Sequence, residues 1–313
     1  RIDGASHYGV ARDLAAWLVR HGKTANLHRP SVDAFKTDRP DGAISVTVEN
    51  AEACPRYCGV TIRNVKVKES PKWLKDYLSA AGQRPINNIV DITNYILLGT
   101  GQPLHCFDLN KVKGGHVVVK TVTPGTKFVT LDGVERTLTD RDLMICNDEE
   151  PMCIAGVFGG LDSGVKDETT DVFIESAYFH PTWIRKSARR HGLSTDASYR
   201  FERGIDPNGT IYALKQAAIL CKQLAGGKVS MEIKDVYPNP ISDARVQLDF
   251  EYVDRLIGKK IGNDMIRSIV ESLDMKIVSE TETGLELDIP AYRVDVQRPC
   301  DVVEEILRIY GYN

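Results

Sequence analysis

Apolar residues recur three and four positions apart in "YGVARDLAAWLVRHG", and the run stops at Gly22, so the spacing predicts an amphipathic helix near the amino terminus. Residues 24–42 are polar and contain prolines, as a surface connection does. Next, "AISVTVE" and "YCGVTIRNVKV" alternate like half-buried strands. Ser70-Pro71 reads as the cap of a helix ending at Gly82, and "NNIVDITNYILLG" as a further helix. From "HVVVKTV" through "KFVTL", "ERTL", "DLMIC" and "CIAGVFGG" to "DVFIESAYF" the pattern is one of short strands, with a turn at Asp132-Gly133. Pro181 opens the helical run "PTWIRKSARRHG", and the Gly226-Gly227 pair closes the long helix "NGTIYALKQAAILCKQLAGG".

Two prolines in "YPNPISDAR" can continue neither a helix nor a central strand, which marks residues 237–245 as a linker. Beyond it a strand at "VQLDF", helices at "YVDRLIG" and "DMIRSIVESLDM", two strands joined at "TETG" and a helix "CDVVEEILRIYG" form a small winged-helix-like unit. The expected fold class is therefore α+β. A largely antiparallel domain with packed helices occupies residues 1–236, and the winged-helix-like domain residues 246–313.

Composition narrows the function classes without choosing one. A chain of 313 residues that is 42% hydrophobic and 27% charged has an ordinary globular make-up, and a net charge of -3 makes any nucleic-acid contact focal. No run approaches the length of a membrane span and the start lacks the pattern of a signal peptide, so a soluble protein is expected. Seven cysteines, an odd number set in apolar runs, suit reduced thiols of a cytosolic protein. The "CPRYC" pair, Cys54 and Cys58, has no second ligand pair at zinc-finger spacing and reads as buried thiols.

The chemistry concentrates in "HGLSTDASYRFERGID". His191, Ser194 and Asp196 invite a nucleophilic triad, but no strained G-x-S-x-G turn accompanies them. Ser194, Thr195 and Asp196 bonding their own backbone is one reading, and Arg200 and Arg203 meeting phosphates is another. In "CIAGVFGG" three glycines at a strand end let backbone approach a ligand or simply turn a sheet edge. Alternation puts Glu175 on the strand face of Phe173, which favours a carboxylate reaching into a cavity. His105, in "GQPLHCFD", is expected in a loop between helix and strand. Asp301, Glu304 and Glu305 share a helix face, with Asp295 upstream; they suit magnesium, or a capping box on a solvated face.

Taken together and in order, "RPINNIVDITNYILLGTGQPLHCFD", "AGVFGG", "IESAYF", "STDASYRFERGID" and "DVVEEILRIYGY" resemble the bacterial phenylalanyl-tRNA synthetase beta subunits over nearly the whole chain. The family's amino-terminal tRNA-binding and carboxy-terminal anticodon-binding domains have no counterpart here, so the resemblance implies a piece of a longer, cytoplasmic subunit. It also implies an editing module followed by the winged-helix-like module, the synthesis of Phe-tRNA from ATP being the task of the alpha subunit in a heterotetramer. The implied activity is hydrolysis of mischarged Tyr-tRNA-Phe, the alternative being a non-catalytic RNA-binding and subunit-scaffolding module. By resemblance Glu175, with backbone from Gly156, Gly159 and Gly160, takes the tyrosine hydroxyl, and His105 lies near the ester. Thr93, Asn94, Thr195 and Ala197 line the same pocket. Asp295, Asp301, Glu304 and Glu305 match the family's magnesium positions, shared with the alpha subunit.

Overall fold

In the computed structural model, which describes residues 1–312, the first amphipathic run forms α1 (His7–Arg20), started by Ser6, whose hydroxyl accepts from the Gly9 N–H at 3.0 Å. The following elements are β1 (Ser45–Val48), β2 (Arg56–Arg63), α2 (Lys72–Ala80), α3 (Asn88–Thr100), β3 (Leu104–Asp108), β4 (His116–Thr121), β5 (Lys127–Val129), β6 (Glu135–Thr137), β7 (Leu143–Cys146), β8 (Pro151–Ile154), β9 (Phe158–Gly159) and β10 (Val172–Tyr178). Helices α4 (Pro181–His191), α5 (Asp196–Phe201) and α6 (Thr210–Ala225) precede short strands β11 (Lys228–Val229) and β12 (Lys234–Val236). The chain then runs through β13 (Ala244–Asp249), α7 (Phe250–Ile257), α8 (Asn263–Ser272), β14 (Lys276–Glu280), β15 (Gly284–Ile289) and α9 (Pro299–Tyr310). This is a mixed α+β chain. Asn313, the last position of the expected carboxy-terminal domain, lies outside the described residues.

Contacts divide the chain into two units, Ser31–Pro240, and Arg1–Pro30 with Ile241–Asn313. The expectation of one domain over 1–236 is corrected at its start. The apolar stripe of α1 must be covered, and it packs on α8 and α9, with Ala16 inside the carboxy-terminal core. Asp3 pairs with Arg293 at 3.0 Å and Asp13 with Arg308 at 2.9 Å, fixing the same segment. The sheet of this unit has the order β13-β15-β14.

Within Ser31–Pro240, one sheet has the order β1-β4-β7-β8-β9, parallel at β1-β4 and antiparallel after it. The other runs β11-β2-β10-β3, with β12 also paired to β2. In this second sheet one face, with Val60, Ile62, Ile174 and Ser176, packs under α6; Ser176 Oγ donates to the Thr210 carbonyl at 2.8 Å. The opposite face carries Tyr57, Gly59, His105, Phe107, Phe173 and Glu175, aligned by the register Glu175↔Gly59 and Glu175↔His105. The expected loop around His105 is thus strand β3. Its short alternation ends in polar residues, and pairing with β10 decides its conformation.

One local expectation also changes. Ser70 does not cap α2; its hydroxyl donates to Asp91 at 2.6 Å, and Pro71 stands at the cap without a side-chain hydrogen bond. The polar run after Gly192 contains α5, nucleated by a reciprocal capping box in which Thr195 Oγ1 accepts from Ser198 N–H at 3.0 Å and Ser198 Oγ from Thr195 N–H at 2.9 Å.

Candidate functional site

Glu175 stands in the middle of β10 between β2 and β3, so its side chain leaves the sheet among hydrophobic neighbours and only 5% of the residue is exposed. Tyr57, fully buried on β2, donates its phenol hydrogen to Glu175 Oε2 at 2.7 Å. Burial raises the Glu175 carboxyl to about 7, against the opposing pull of the Tyr57 hydrogen bond. Burial and the nearby Glu175 charge push the Tyr57 phenol far above its ordinary value, so it stays a donor.

His105 is the cross-strand neighbour of Glu175. Its ring meets Phe107 edge-on at 4.5 Å, burial lowers its pKa to about 4, and its Nε2 has no hydrogen-bond partner. The imidazole is therefore neutral, with one buried ring nitrogen left unpaired. Gly159 on β9 makes room for it: a Cβ there would lie 3.1 Å from His105 Cε1 and 3.0 Å from a Leu131 methyl. Gly156, at φ +65°, turns the β8–β9 hairpin, and a Cβ there would press on Phe179 and Phe201 at 2.9 Å.

These groups surround a cavity of about 240 Å³ whose lining includes Asn94, His105, Gly156, Gly159, Glu175 and Ala197. Thr195 lines it too, but its hydroxyl is committed: besides capping α5 it donates to the Val157 carbonyl at 3.0 Å, tying the helix to the hairpin. Those two bonds hold Ala197 and Phe201 against the cavity. Thr93 and Gly160 do not reach the lining. Thr93 Oγ1 turns back to the Val90 carbonyl at 2.7 Å, as a hydroxyl inside a helix does, and Gly160 packs under Phe128 beside a different cleft. Sequence reasoning missed Tyr57 and the apolar walls Leu131, Cys153 and Phe201. The available signal for Tyr57 was its period-2 relation to Gly59 in "PRYCGV".

The other candidates fall elsewhere. His191 pairs with buried Asp142 at 3.1 Å and Asp196 with Arg200 at 3.1 Å, while Ser194 is exposed, so no triad forms. Arg200 is buried and bonds the Asp196 carbonyl at 2.9 Å; Arg203 lies over the Tyr199 ring at 3.7 Å. Cys54 and Cys58 are buried free thiols, Cys58 donating to Asp235 at 3.1 Å. Among the described residues no group of three or more His, Cys, Asp or Glu is placed to hold a metal. The four expected magnesium ligands do not fit one within this chain. Glu305 is fully buried between Arg1, Arg308 and Arg293 at 2.6, 2.8 and 3.2 Å, so its oxygens already face guanidiniums. Asp301 is the capping-box residue of α9, and its bonds to Arg298 and to the Gln297 and Arg298 backbone hold it at about 2. Asp295 and Glu304 are exposed and lie 3.4 and 3.5 Å from Arg1.

The B3/4 domain model matches residues 53–226, and the tRNA synthetase B5 domain model residues 246–312. Over all 313 residues the chain is 67% identical to the phenylalanine–tRNA ligase beta subunit of Bacteroides fragilis, covering 100% of this chain and 38% of that protein. It is 56% identical to the subunit of the same name from Porphyromonas gingivalis, with 100% and 38% covered. The chain thus spans 38% of the length of these relatives. An N-terminal fragment of the phenylalanyl-tRNA synthetase beta subunit from Pyrococcus horikoshii aligns at TM-score 0.48 and 17% identity, covering 100% of this chain and 84% of that one, too distant a likeness to carry an argument.

Proposed function

Because the chain belongs to the B3/4 domain family and corresponds to a segment of a phenylalanyl-tRNA synthetase beta subunit, we propose that the cavity on β10 hydrolyses tyrosine wrongly esterified to tRNA-Phe. One observation carries this reading: Glu175, a buried carboxylate, offers a hydrogen-bond acceptor in the wall of a largely apolar cavity. A tyrosyl ring entering it donates its phenol to that acceptor. A phenylalanyl ring leaves the second carboxylate oxygen desolvated and unpaired, a penalty that by analogy with other hydroxyl-reading sites amounts to about 10⁴ in rate.

Hydrolysis then needs only water and positioning. Water adds to the ester carbonyl, the bond from that carbon to the ribose oxygen breaks, and the proton released by water ends on the departing hydroxyl. The unpaired Nε2 of His105, once the chain around it yields to a bound ester, orients that water or the ester; at about 4 its pKa makes it a weak base and a poor proton store. No side chain in the lining is placed as a nucleophile: Thr195 is already bonded, and burial keeps the Cys153 thiol protonated. In this reading the synthesis of Phe-tRNA from ATP belongs to an alpha subunit, and tRNA-Phe and that subunit are the partners of a cytoplasmic assembly. No described helix is long and apolar enough to cross a membrane.

The test is the full synthetase carrying Glu175→Gln, assayed for clearance of Tyr-tRNA and Phe-tRNA. The expected result is collapse of the preference for the tyrosyl ester. A preference that survives intact refutes the assignment.

A further inference from the structure

Glu175 has two oxygens, and the structure treats them differently. Oε2 accepts the Tyr57 phenol at 2.7 Å, whereas Oε1 accepts no hydrogen bond from the described residues, on a side chain that lines the cavity. Tyr57 itself is fully enclosed, and its backbone is held by pairing of β2 on both sides, to β10 and to β12. Register places Tyr57 opposite Ala177, one pleat from Glu175, and Gly59 opposite Glu175 itself, where the missing Cβ makes room for the Phe173 ring that packs beside the pair.

The surroundings contain no other group that stabilises the charge. On β3, His105 is neutral, since burial lowers its pKa to about 4. Cys54 ahead of β2, Cys106 on β3 and Cys153 on β8 are held protonated by burial. Tyr57 is the one hydrogen-bond donor to the carboxylate among the described residues, and no cation is paired with it.

We propose that Tyr57 is a positioning residue for substrate reading: its phenol pins one oxygen of Glu175 and favours the group's acceptor form, leaving the other oxygen as the seat for the phenol of the incoming tyrosyl group. This deepens the proposed editing function and rests on it. The internal tyrosine and the substrate tyrosine are then two like donors on one carboxylate, and the internal one aims the group before the substrate arrives. Removing it frees the carboxyl to rotate and to protonate in the dry cavity. A protonated carboxyl with a loose torsion reads a hydroxyl less selectively than a fixed anion.

The test uses the full synthetase with Tyr57→Phe, which keeps the ring and deletes one hydroxyl. Deacylation of Tyr-tRNA and Phe-tRNA is followed against pH. A hydrogen bond to a charged group is worth enough to move the acid limb of tyrosyl clearance up by about one to two pH units. The preference for the tyrosyl ester also falls, while the rate on the phenylalanyl ester changes little. Site-specific 3,5-difluorotyrosine at position 57, a stronger donor in nearly the same volume, moves the limb the opposite way, a result that structural damage does not produce. The chain with labelled glutamate, titrated by carbon NMR without substrate, gives the Glu175 shift independently of activity, and serves if either variant is impaired in the synthetase. If wild type fails to clear the tyrosyl ester, the editing function is refuted. If wild type clears it but Tyr57→Phe keeps both the limb and the preference, or the NMR titration of Glu175 is unmoved, the role of Tyr57 is overturned.

Discussion

Replacing Glu175 by Gln makes a stability prediction whose sign depends on pH. The carboxyl titrates near 7 in the fold and at 4.5 as an ordinary glutamate, because burial disfavours its charge. A group whose folded pKa is raised contributes stability fully below the lower value and loses it as pH rises through the higher one. Between those values the folded state binds the extra proton, so wild-type stability declines with pH on account of this residue. The difference of about 2.5 units corresponds to about 3 kcal/mol at pH ~8, where both states are ionised, and to less than about 1 kcal/mol at pH ~5. Gln cannot ionise and keeps an oxygen for Tyr57. The variant should therefore exceed wild type in stability by about 3 kcal/mol at the higher pH, the gap closing towards acid. Urea unfolding at both pH values is the assay, with hydrogen exchange at β10 assigning the transition to Ser31–Pro240. A gap that is the same at both pH values, or that opens towards acid, refutes the claim that Glu175 is held in a dry site. Greater stability at the expense of substrate reading is the expected trade at a functional carboxylate.

Two further outcomes follow from the packing. Gly159→Ala would push a methyl against His105 Cε1 and Leu131, so tyrosyl clearance should drop while unfolding midpoints move little, Leu131 being exposed and free to yield; unchanged clearance would mean that the imidazole position is immaterial. Glu305→Ala leaves Arg1, Arg293 and Arg308 around an empty site, and breaking such a buried set should destabilise Arg1–Pro30 with Ile241–Asn313 by about 3–5 kcal/mol. The same unit of the wild-type chain should show no magnesium-dependent rise in its unfolding midpoint, since the Glu305 oxygens are already engaged; a rise of several degrees would contradict that arrangement.

What the sequence determined by itself was local. Periodicity and punctuation located α1, α3, α4, α6 and the strands β4 to β7 and β10, because side-chain spacing and Gly or Pro stops act over a few residues, whereas the one strand expected at "CIAGVFGG" is split by a turn into β8 and β9. Strand alternation alone placed Glu175 on the face of Phe173. The ordered motifs carried the family resemblance, which no single motif would have done. Partnership between distant segments was decided only by tertiary structure. The stripe of α1 is visible in sequence, but nothing in it says that the covering core is built some 240 residues later, from α8 and α9. His105 became a strand residue through pairing with β10. Thr93 and Gly160 sit next in sequence to cavity residues Asn94 and Gly159, yet a helical turn and a pleat point them elsewhere. The carboxylates near α9 share a helix face, but the arginines that engage Glu305 include two from Arg1 and Arg293, outside that helix. Tyr57 lies 118 residues from Glu175, and their hydrogen bond exists because an antiparallel register brings the two strands together. Such long-range contacts depend on which faces must be buried against each other, and that is a property of the whole packed chain.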